Sequence, residues 1–411
     1  MYDLFSLFSD FNLFSMTERE MFFRYLGLPS MHPIGLEITR SEGIFLYDPA
    51  GKDYIDLVAG ITVSNVGHRH PMVIAAIQQQ IDRYLHVNVY GELIQAPQVH
   101  LAKRLTELLP SSLDSVYFVN SGSEAVEGAI KLAKRYTGRS RIISFRNSYH
   151  GSTHGSLSIT GDERLKRAFR PLLPGVGHIT FNNLNELDRI DQNTACVVAE
   201  SVQAEAGMIR PDGDYLRELR NRCSETGALL VLDDVQMGMG RTGKFSSFEH
   251  FGFVPDILVL AKALGAGMPL GAFISAKRIM DHLTFDPELG HITTFGGHPV
   301  SCAAGLAGLD VLFSRHLIGS AEGKGLLFEK YFRNNPAFEA VRRIGLGLGI
   351  KLKDPSKQKK LSEAALAQGI IIDWFLFSQA TFRIAPPLTI TEPEIEESFR
   401  RLTRSFSLAG I

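Results

Sequence analysis

The chain has 411 residues, of which 45% are hydrophobic, so it can bury large cores and form two domains or more. This composition excludes a disordered, fibrous or repetitive protein. The formal net charge is −1, with acids and bases mixed along the chain, so we expect no nucleic-acid or anionic-membrane partner, and small-molecule chemistry is favoured.

The first fifteen residues, MYDLFSLFSDFNLFS, are rich in apolar side chains. A signal peptide needs a basic start and an uninterrupted apolar core. Here the start carries the acid Asp3 instead of a base, and Asp10 interrupts the apolar run. The larger apolar residues share one face of a helix: Leu4, Leu7, Phe8 and Phe11. We predict a short amphipathic arm that packs on the body of the protein or on a partner subunit, with membrane association as the less favoured alternative.

The segment from Gly35 to Leu57 predicts a β-meander, because its apolar runs are separated by the turn signals EG and PAG. His68 and His70 in the following GHRHP motif resemble a metal pair, but nothing with ligand spacing lies nearby. A loop that caps the next helix is the favoured interpretation, so we predict no metal site.

Between Val116 and Ser275 apolar strands alternate with helices. The strand segments are VYFV, RIISF, ACVVAE, ALLVLDD, DILVLA and GAFIS. Aliphatic runs without polar alternation are typical of strands covered on both faces, so we predict a mainly parallel α/β sheet. Functional sites in such sheets lie at the carboxyl ends of the strands.

Lys262 and Asp233 both fall at such strand ends, in DILVLAKALGAG and ALLVLDD. The edge of a buried sheet desolvates an ammonium, which draws the pKa of Lys262 towards neutrality and lets its amine attack a carbonyl. Upstream, the stretch VYFVNSGSEAVEGAIKLAKRYTG predicts a strand, a small-residue turn and a helix that hold a phosphate on backbone N–H groups. Gly122 lets the backbone approach that phosphate, and Ser123 caps the helix.

These are the parts that pyridoxal phosphate requires. Lys262 can form a Schiff base with the cofactor aldehyde and can then carry the proton at the substrate Cα. Asp233 can pair with the pyridinium nitrogen and keep it protonated, which makes the ring an electron sink. An ordinary surface lysine and a plain helix cap are the alternatives.

The three cysteines, Cys196, Cys223 and Cys302, are widely spaced and include no CxxC motif. Their odd number and spacing argue against a disulfide framework or a zinc cage. We interpret them as small apolar core residues in a reducing compartment, which predicts a cytoplasmic protein. After Cys302 the pattern turns to helices around the Gly-rich segment IGLGLGIKL, which we interpret as a strand rather than a dinucleotide loop.

Eight blocks of the sequence resemble, in order, the signature blocks of one family: GHRHP, NSGSEAVEGAIKLAKR, SYHGST, AESVQAEAG, LDDVQMGMGRTG, LAKALGAG, TTFGGHP and FRIAPPL. From about Gly35 to the C-terminus the chain resembles the class III aminotransferases. These pyridoxal-phosphate enzymes of fold type I include the acetylornithine, ornithine and 4-aminobutyrate aminotransferases. Any single block is a weak signal, but eight in one order are specific.

The resemblance implies an α/β fold of fold type I, with a large domain built on a mostly parallel, seven-stranded sheet covered by helices. A smaller α+β domain would come from both termini. The implied division is 1–65 for the N-terminal arm and part of the small domain, 66–301 for the large cofactor-binding domain and 302–411 for the rest of the small domain. Thr294 matches a residue that reaches the cofactor phosphate of the neighbouring subunit, which implies a homodimer with shared active sites.

The resemblance also implies three contacts with the cofactor ring. Tyr149 would stack on the ring, which suits an aromatic side chain. Val235 would pack on the ring face, and Gln236 would reach the cofactor hydroxyl. Asp234 stands where the family more often has Glu, and we expect it to lie behind the site.

For the substrate, the resemblance implies that Arg383 grips a carboxylate through a bidentate fork. Glu205 would pair with Arg383 until substrate arrives, with a purely structural ion pair as the alternative. Ser152 is the clearest departure, because the named relatives carry Arg there to hold a substrate carboxylate. Serine cannot do this, so acetylornithine and 2-oxoglutarate are less favoured as substrates, and pyruvate or glyoxylate is favoured as the acceptor.

The predicted function is a ping-pong aminotransferase that moves an amino group, often an ω-amino group, from an amino acid to a 2-oxo acid. An aminomutase or racemase on the same fold is the alternative. Arg383 favours transfer, since relatives with isomerase activity generally lack this clamp. A binding module without chemistry is disfavoured because Lys262 and Asp233 are both present.

Overall fold

The computed structural model describes residues 16–411, so the predicted arm of residues 1–15 lies outside the described part of the chain. The helical segments are α1 Glu18–Tyr25, α2 Ala59–Thr62, α3 Pro71–Ile81, α4 Ala96–Leu108, α5 Gly122–Thr137, α6 His154–Ile159, α7 Glu163–Lys166, α8 Tyr215–Thr226, α9 Lys277–Met280, α10 Pro299–Ser314, α11 Leu317–Arg333, α12 Gln358–Ala367 and α13 Glu392–Ala409. Among these helices, none combines the length and the apolar character needed to cross a bilayer.

The strands of the same residues form three sheets. They are β1 Arg40–Glu42, β2 Phe45–Tyr47, β3 Asp53–Asp56, β4 Ser115–Val119, β5 Arg141–Phe145, β6 Val176–Ile179, β7 Thr194–Ala199, β8 Leu229–Asp233, β9 Ile257–Leu260, β10 Gly271–Ser275, β11 Phe338–Ile344, β12 Gly347–Leu352, β13 Ile370–Ile371, β14 Asp373–Trp374 and β15 Thr381–Ile384.

The largest sheet has seven strands in the order β4-β10-β9-β8-β7-β5-β6. Strands β9, β8, β7, β5 and β6 are paired in parallel, whereas β10 pairs antiparallel with both β4 and β9. Every residue of β7, β8, β9 and β10 is buried, as expected for strands covered on both faces. The predicted α/β fold with a mostly parallel seven-stranded sheet is confirmed.

Helix α5 covers one face of this sheet. Its side chains at the predicted inward positions Val126, Ala129, Ile130 and Ala133 are buried and join one hydrophobic cluster with residues of β7, β8 and β9. A Cβ atom on Gly128 would lie 2.3 Å from the Phe273 ring, so glycine permits the close approach of α5 to β10. This packing sets the helix N-terminus at the carboxyl end of the parallel strands.

The two smaller sheets use strands from both ends of the described chain. Strands β1, β2 and β3 form the predicted antiparallel meander, and β13 adds to β3 in parallel. The other sheet has the order β11-β12-β15-β14. Gly347 and Gly349 lie inside β12, while Gly345 occupies the turn before it with φ +52. This segment is therefore a strand, as predicted.

The GHRHP histidine His68 has a structural partner. Its Nε2 atom lies 2.9 Å from Asp56 Oδ2, and Asp56 Oδ1 accepts the N–H groups of Val58 and Ala59. These contacts hold the start of α2, a left-handed turn in which all four residues have φ between 54 and 64. Such backbone costs non-glycine residues about 1–2 kcal/mol each, so it requires this support.

Candidate active site

A cavity of about 700 Å³ opens at the carboxyl ends of β4, β5, β7, β8 and β9. Its lining includes residues 120–123, 149–153, 233, 235–237, 261–262 and 267–270. The structure thus brings together eight of the residues predicted from the sequence: Gly122, Ser123, Tyr149, Ser152, Asp233, Val235, Gln236 and Lys262. Glu205, Arg383 and Thr294 are not among the residues that line it.

Lys262 begins the 3-10 turn Lys262–Gly265, two residues after the last residue of β9. Its backbone has φ +50, an uncommon conformation for a lysine and a kind of strain that occurs at functional sites. Burial lowers the pKa of Lys262 to about 8, and Glu205 and Asp233 only partly oppose this effect. The predicted shift towards neutrality is therefore confirmed, and a substantial fraction of the amine is neutral near pH 8.

Asp233 is the last residue of β8 and is 9% exposed. Its Oδ2 atom lies 2.7 Å from His150 Nδ1, and its Oδ1 atom accepts the N–H group of Val235. His150 is a site residue that the sequence interpretation missed, although it stands inside the SYHGST block. Its contact with Asp233 orients a carboxylate at the floor of the cavity.

Glu200 is a second residue that the sequence interpretation missed. Its carboxyl group accepts the N–H groups of Tyr149 and Ala204. Burial raises the pKa of Glu200 well above its usual range, and the charge of Asp233 raises it further. Glu200 therefore favours the neutral acid.

Asp234 lies behind the cavity, as predicted. Its carboxyl group accepts bonds from the hydroxyls of Ser246 and Ser247 and from the Ser247 N–H group. Burial raises the pKa of Asp234 to about 7, although these hydrogen bonds oppose it. Its contacts anchor the loop at residues 246–247 rather than the cavity.

The N-terminus of α5 faces the cavity. The predicted cap is wrong in detail: Ser121, with extended backbone at φ −149, accepts the Glu124 N–H group, because only the residue before the first helical position can reach that amide. Ser123 lies inside the helix, and its hydroxyl contacts those of Thr153 and Ser156 at 2.9 and 2.7 Å. The free amides of the first turn remain available for a phosphate.

Gln236 offers a test of whether the cofactor suits this cavity. Its Oε1 atom accepts a long hydrogen bond of 3.4 Å from Lys262 Nζ, while its Nε2 atom is buried without a partner in residues 16–411. A buried donor that lacks an acceptor is costly, and a phenolic oxygen of a bound ring would satisfy it. The residues present therefore fit pyridoxal phosphate.

Close packing around Gly122 also suits a flat ring. A Cβ atom at this position would lie 3.1 Å from a Val235 methyl group, so a side chain would push Val235 out of place. Tyr149 also lines the cavity, and its hydroxyl lies 3.2 Å from Ser152 Oγ. The cavity is lined by an aromatic and an aliphatic side chain, as a stacked ring requires.

Arg383, on β15, is 1% exposed. Its Nη2 atom lies 2.6 Å from Glu205 Oε1, so the predicted ion pair is present. Its Nη1 atom lies 3.3 Å from Asp373 Oδ2, a contact that the sequence interpretation missed. The ring of Phe375 stacks on the guanidinium at 4.5 Å. Arg383 is thus held in a fixed orientation beside the cavity.

Thr294 is exposed, in the loop before α10, and does not line the cavity of its own chain. Its neighbour Thr293 accepts the Tyr90 N–H group through its carbonyl oxygen. The contribution of Thr294 to a partner's site stays a prediction.

A family model described as aminotransferase class-III matches residues 28–406. The acetylornithine aminotransferase of Methanopyrus kandleri is 39% identical over 399 residues, which cover 96% of this chain and 100% of that protein. The acetylornithine aminotransferase of Archaeoglobus fulgidus is 36% identical over 364 residues, covering 88% and 93%.

Two solved structures show the same fold. The ornithine aminotransferase of Toxoplasma gondii, described with partial occupancy of PLP at its active site, has a TM-score of 0.88 at 28% identity and 95% coverage of each chain. An (S)-enantioselective omega-transaminase of Thermomicrobium roseum has a TM-score of 0.86 at 29% identity, covering 100% of this chain and 99% of the other.

Proposed function

This chain belongs to the class III aminotransferase family, and from that premise we propose how its residues act and which substrates they select. The enzyme is a pyridoxal-phosphate-dependent aminotransferase. When bound, the cofactor supplies an aldehyde that takes up the amino group and a ring that withdraws electrons from the substrate Cα. The proposal depends on one observation: Lys262 lines the same cavity as Asp233 and Gln236.

We propose that the start of α5 binds the cofactor phosphate. The amides at Gly122 and Ser123 lie in its first turn, where the helix dipole favours an anion. Tyr149 and Val235 would contact the two faces of the ring. Gln236 Nε2, which lacks an acceptor in the described residues, would donate to the ring hydroxyl.

Asp233 would hold the pyridinium proton in place. The contact with His150 keeps its carboxylate aimed into the cavity. Lys262 would attach the cofactor and then move the proton at the substrate Cα, for which a pKa of about 8 is suitable. Arg383 would bind a substrate carboxylate after Glu205 moves away, which is supported by their ion pair.

The proposed donor is an amino acid whose reacting amine is distant from its carboxylate, and the acceptor is a 2-oxo acid, in ping-pong order. The named relatives act, by their names, on acetylornithine and ornithine. Ser152 lines the cavity where a second cation would grip a dicarboxylate. We therefore propose a small monocarboxylic acceptor such as pyruvate or glyoxylate.

A two-stage spectroscopic assay tests this function. Each of a panel of amino donors is mixed with the purified holoenzyme, and bleaching of the cofactor absorbance is followed. Different 2-oxo acids are then tested for regeneration. Transfer requires stoichiometric consumption of the oxo acid, whereas an aminomutase or racemase would consume none. A protein that stays colourless when the coenzyme is supplied would exclude the proposal.

Ser152→Arg is expected to improve 2-oxoglutarate as acceptor by about tenfold or more in kcat/KM, because a charge-assisted hydrogen bond contributes about 1.5–3 kcal/mol. Steady-state kinetics with 2-oxoglutarate and pyruvate measure the preference. Ser152→Gln introduces a long polar side chain without a charge. It is the control and should not show the gain seen with arginine. An unchanged preference in the arginine variant would show that residue 152 does not contact the acceptor.

We propose that the enzyme is a homodimer whose sites include Thr294 of the partner subunit. Large apolar side chains are exposed in two adjoining segments around this residue: Leu85, Val87, Leu93, Ile94, Ile292 and Phe295. The segments touch through the Tyr90 to Thr293 hydrogen bond and the His86 to Phe295 ring contact. Exposed apolar surface of this kind favours a partner. A single-chain mass in light scattering would contradict the proposal.

We also propose the predicted division into a large domain and a small domain formed by both ends of the chain. The parallel pairing of β13 with β3 supports it. Helix α10 crosses the predicted boundary at residues 301 and 302 and packs on α3 and α4, so we assign it to the large domain. Amide hydrogen exchange would test whether β3 and β13 open together.

We propose a cytoplasmic location, which is supported by the three cysteines. All three are buried and unpaired, as expected in a reducing compartment. Cell fractionation that finds the protein in an oxidising compartment would contradict this proposal.

A further inference from the structure

Arg383 contacts two carboxylates rather than one. Asp373 is its direct cross-strand neighbour in the β14–β15 pair, and Glu205 reaches it from the loop after β7. One cation therefore faces two acids in a buried place. A single gate residue would require only Glu205, so Asp373 is one acid more than such a gate needs.

The two carboxylates differ in how they are held. Glu205 has a long side chain, and within residues 16–411 its second oxygen accepts a single hydrogen bond, from the Leu376 N–H group, so it can turn away when a ligand arrives. Asp373 has a short side chain on a strand whose register places it opposite Arg383. Asp373 thus stays beside the guanidinium whatever Glu205 does.

The cluster also has unused polar atoms. Arg383 Nε and Asp373 Oδ1 are both buried and lack a hydrogen-bond partner within residues 16–411. A closed structural ion pair would satisfy these atoms, since leaving them unpaired is costly. The arrangement suits a site that receives a further carboxylate at the guanidinium and a proton at Asp373.

We propose that Asp373 is a specificity-determining residue, which opposes a substrate carboxylate at Arg383 while it is ionised and admits that carboxylate when it is protonated. This inference rests on the proposed role of Arg383 as the carboxylate clamp. Its ligand class is the monocarboxylate of a 2-oxo acid acceptor.

The physical reason is that two negative charges would share one cation. When a substrate carboxylate displaces Glu205, it lies beside Arg383 together with Asp373, and two like charges at close range repel each other. Protonation of Asp373 removes the repulsion. Binding of a carboxylate is therefore coupled to uptake of one proton.

The environment of Asp373 sets the pH range in which its carboxyl group takes up this proton. Burial raises the pKa of Asp373 to about 6; the charges of Glu205 and Asp56 also raise it, while Arg383 and Lys262 lower it. Asp56 is itself paired with His68. Below pH 6 Asp373 is neutral and carboxylate affinity is high, whereas above pH 6 each further unit weakens binding by up to about tenfold.

The test uses the holoenzyme and two readouts. Calorimetry measures the Kd of propionate, an unreactive monocarboxylate, between about pH 5.5 and 8, and half-reaction kinetics measure KM for pyruvate. We expect the wild-type Kd of propionate to rise about tenfold from pH 6.5 to 7.5, and Asp373→Asn to remove this slope. At pH 7.5 the variant should bind propionate about tenfold more tightly, with a matching decrease in KM for pyruvate.

Two further variants separate the possible failures. Glu363→Gln, at an exposed acid on α12, should follow the wild type. Arg383→Gln should lose propionate binding at every pH. Equal slopes in the wild type and Asp373→Asn would overturn the role of Asp373 and leave the aminotransferase function intact. Propionate binding that survives Arg383→Gln would overturn the clamp and the inference with it, whereas failure of the proposed function would appear as absence of amino transfer in the wild type.

Discussion

Lys262→Ala is expected to leave transamination undetectable, with a loss of at least about a thousandfold, because one side chain supplies both the attacking amine and the proton carrier. The cofactor should still bind, but reversibly, since the phosphate and ring contacts come from other residues. The measurements are single-turnover spectroscopy with the best donor and release of the cofactor on gel filtration.

Lys277→Ala is the matched control for this variant, because Lys277 is an exposed lysine paired with Asp281. It should turn over normally and retain its cofactor. Small primary amines added to Lys262→Ala should restore part of the activity, as they replace the missing base. Normal turnover by Lys262→Ala without such an amine would refute the catalytic assignment.

Asp233→Asn is expected to lower kcat by about 10²–10³-fold, the usual cost of removing one preorganised charge at a reacting centre. Asparagine keeps the shape of the side chain but cannot hold the pyridinium proton. The Cα–H group of the substrate therefore becomes less acidic. The hydrogen bond to His150 should survive in altered form, which limits the structural damage. Rates of the two half-reactions and the cofactor absorbance spectrum would be measured together.

Glu200→Gln provides the comparison, because Glu200 also lies at the cavity and burial favours its neutral form. An amide should replace a neutral acid with a loss below about tenfold. If Asp233→Asn and Glu200→Gln lost activity to the same extent, the loss in Asp233→Asn would not be caused by removal of the charge. A larger loss at Glu200 would reverse the roles assigned to the two acids.

Much of the fold could be predicted because its signals are local. The segments RIISF and GAFIS coincide with β5 and β10, since aliphatic runs bounded by turn residues form buried strands wherever they occur. The antiparallel direction of β10 could not be predicted from GAFIS, which is a short, mainly apolar run like the parallel strands. Direction depends on how the connecting loops cross the sheet.

The candidate site shows the same limit at the level of single residues. Ser121 and Ser123 are equally good caps by residue type, and only the backbone angle at Ser121 decides between them. The partner of Asp233 is a histidine 83 positions earlier in the chain. No spacing rule connects residues so distant, because their meeting depends on adjacent loops of the folded sheet.

The sequence by itself determined the family, the cofactor and the two residues at its chemical centre, Lys262 and Asp233. Each of these follows from a short motif at the end of an apolar strand, and such motifs are properties of contiguous residues. Only the tertiary structure decided the surroundings that tune them: His150 beside Asp233, the neutral Glu200 and the second acid on Arg383. Burial and cross-strand register set these charges, and both arise when distant segments pack together.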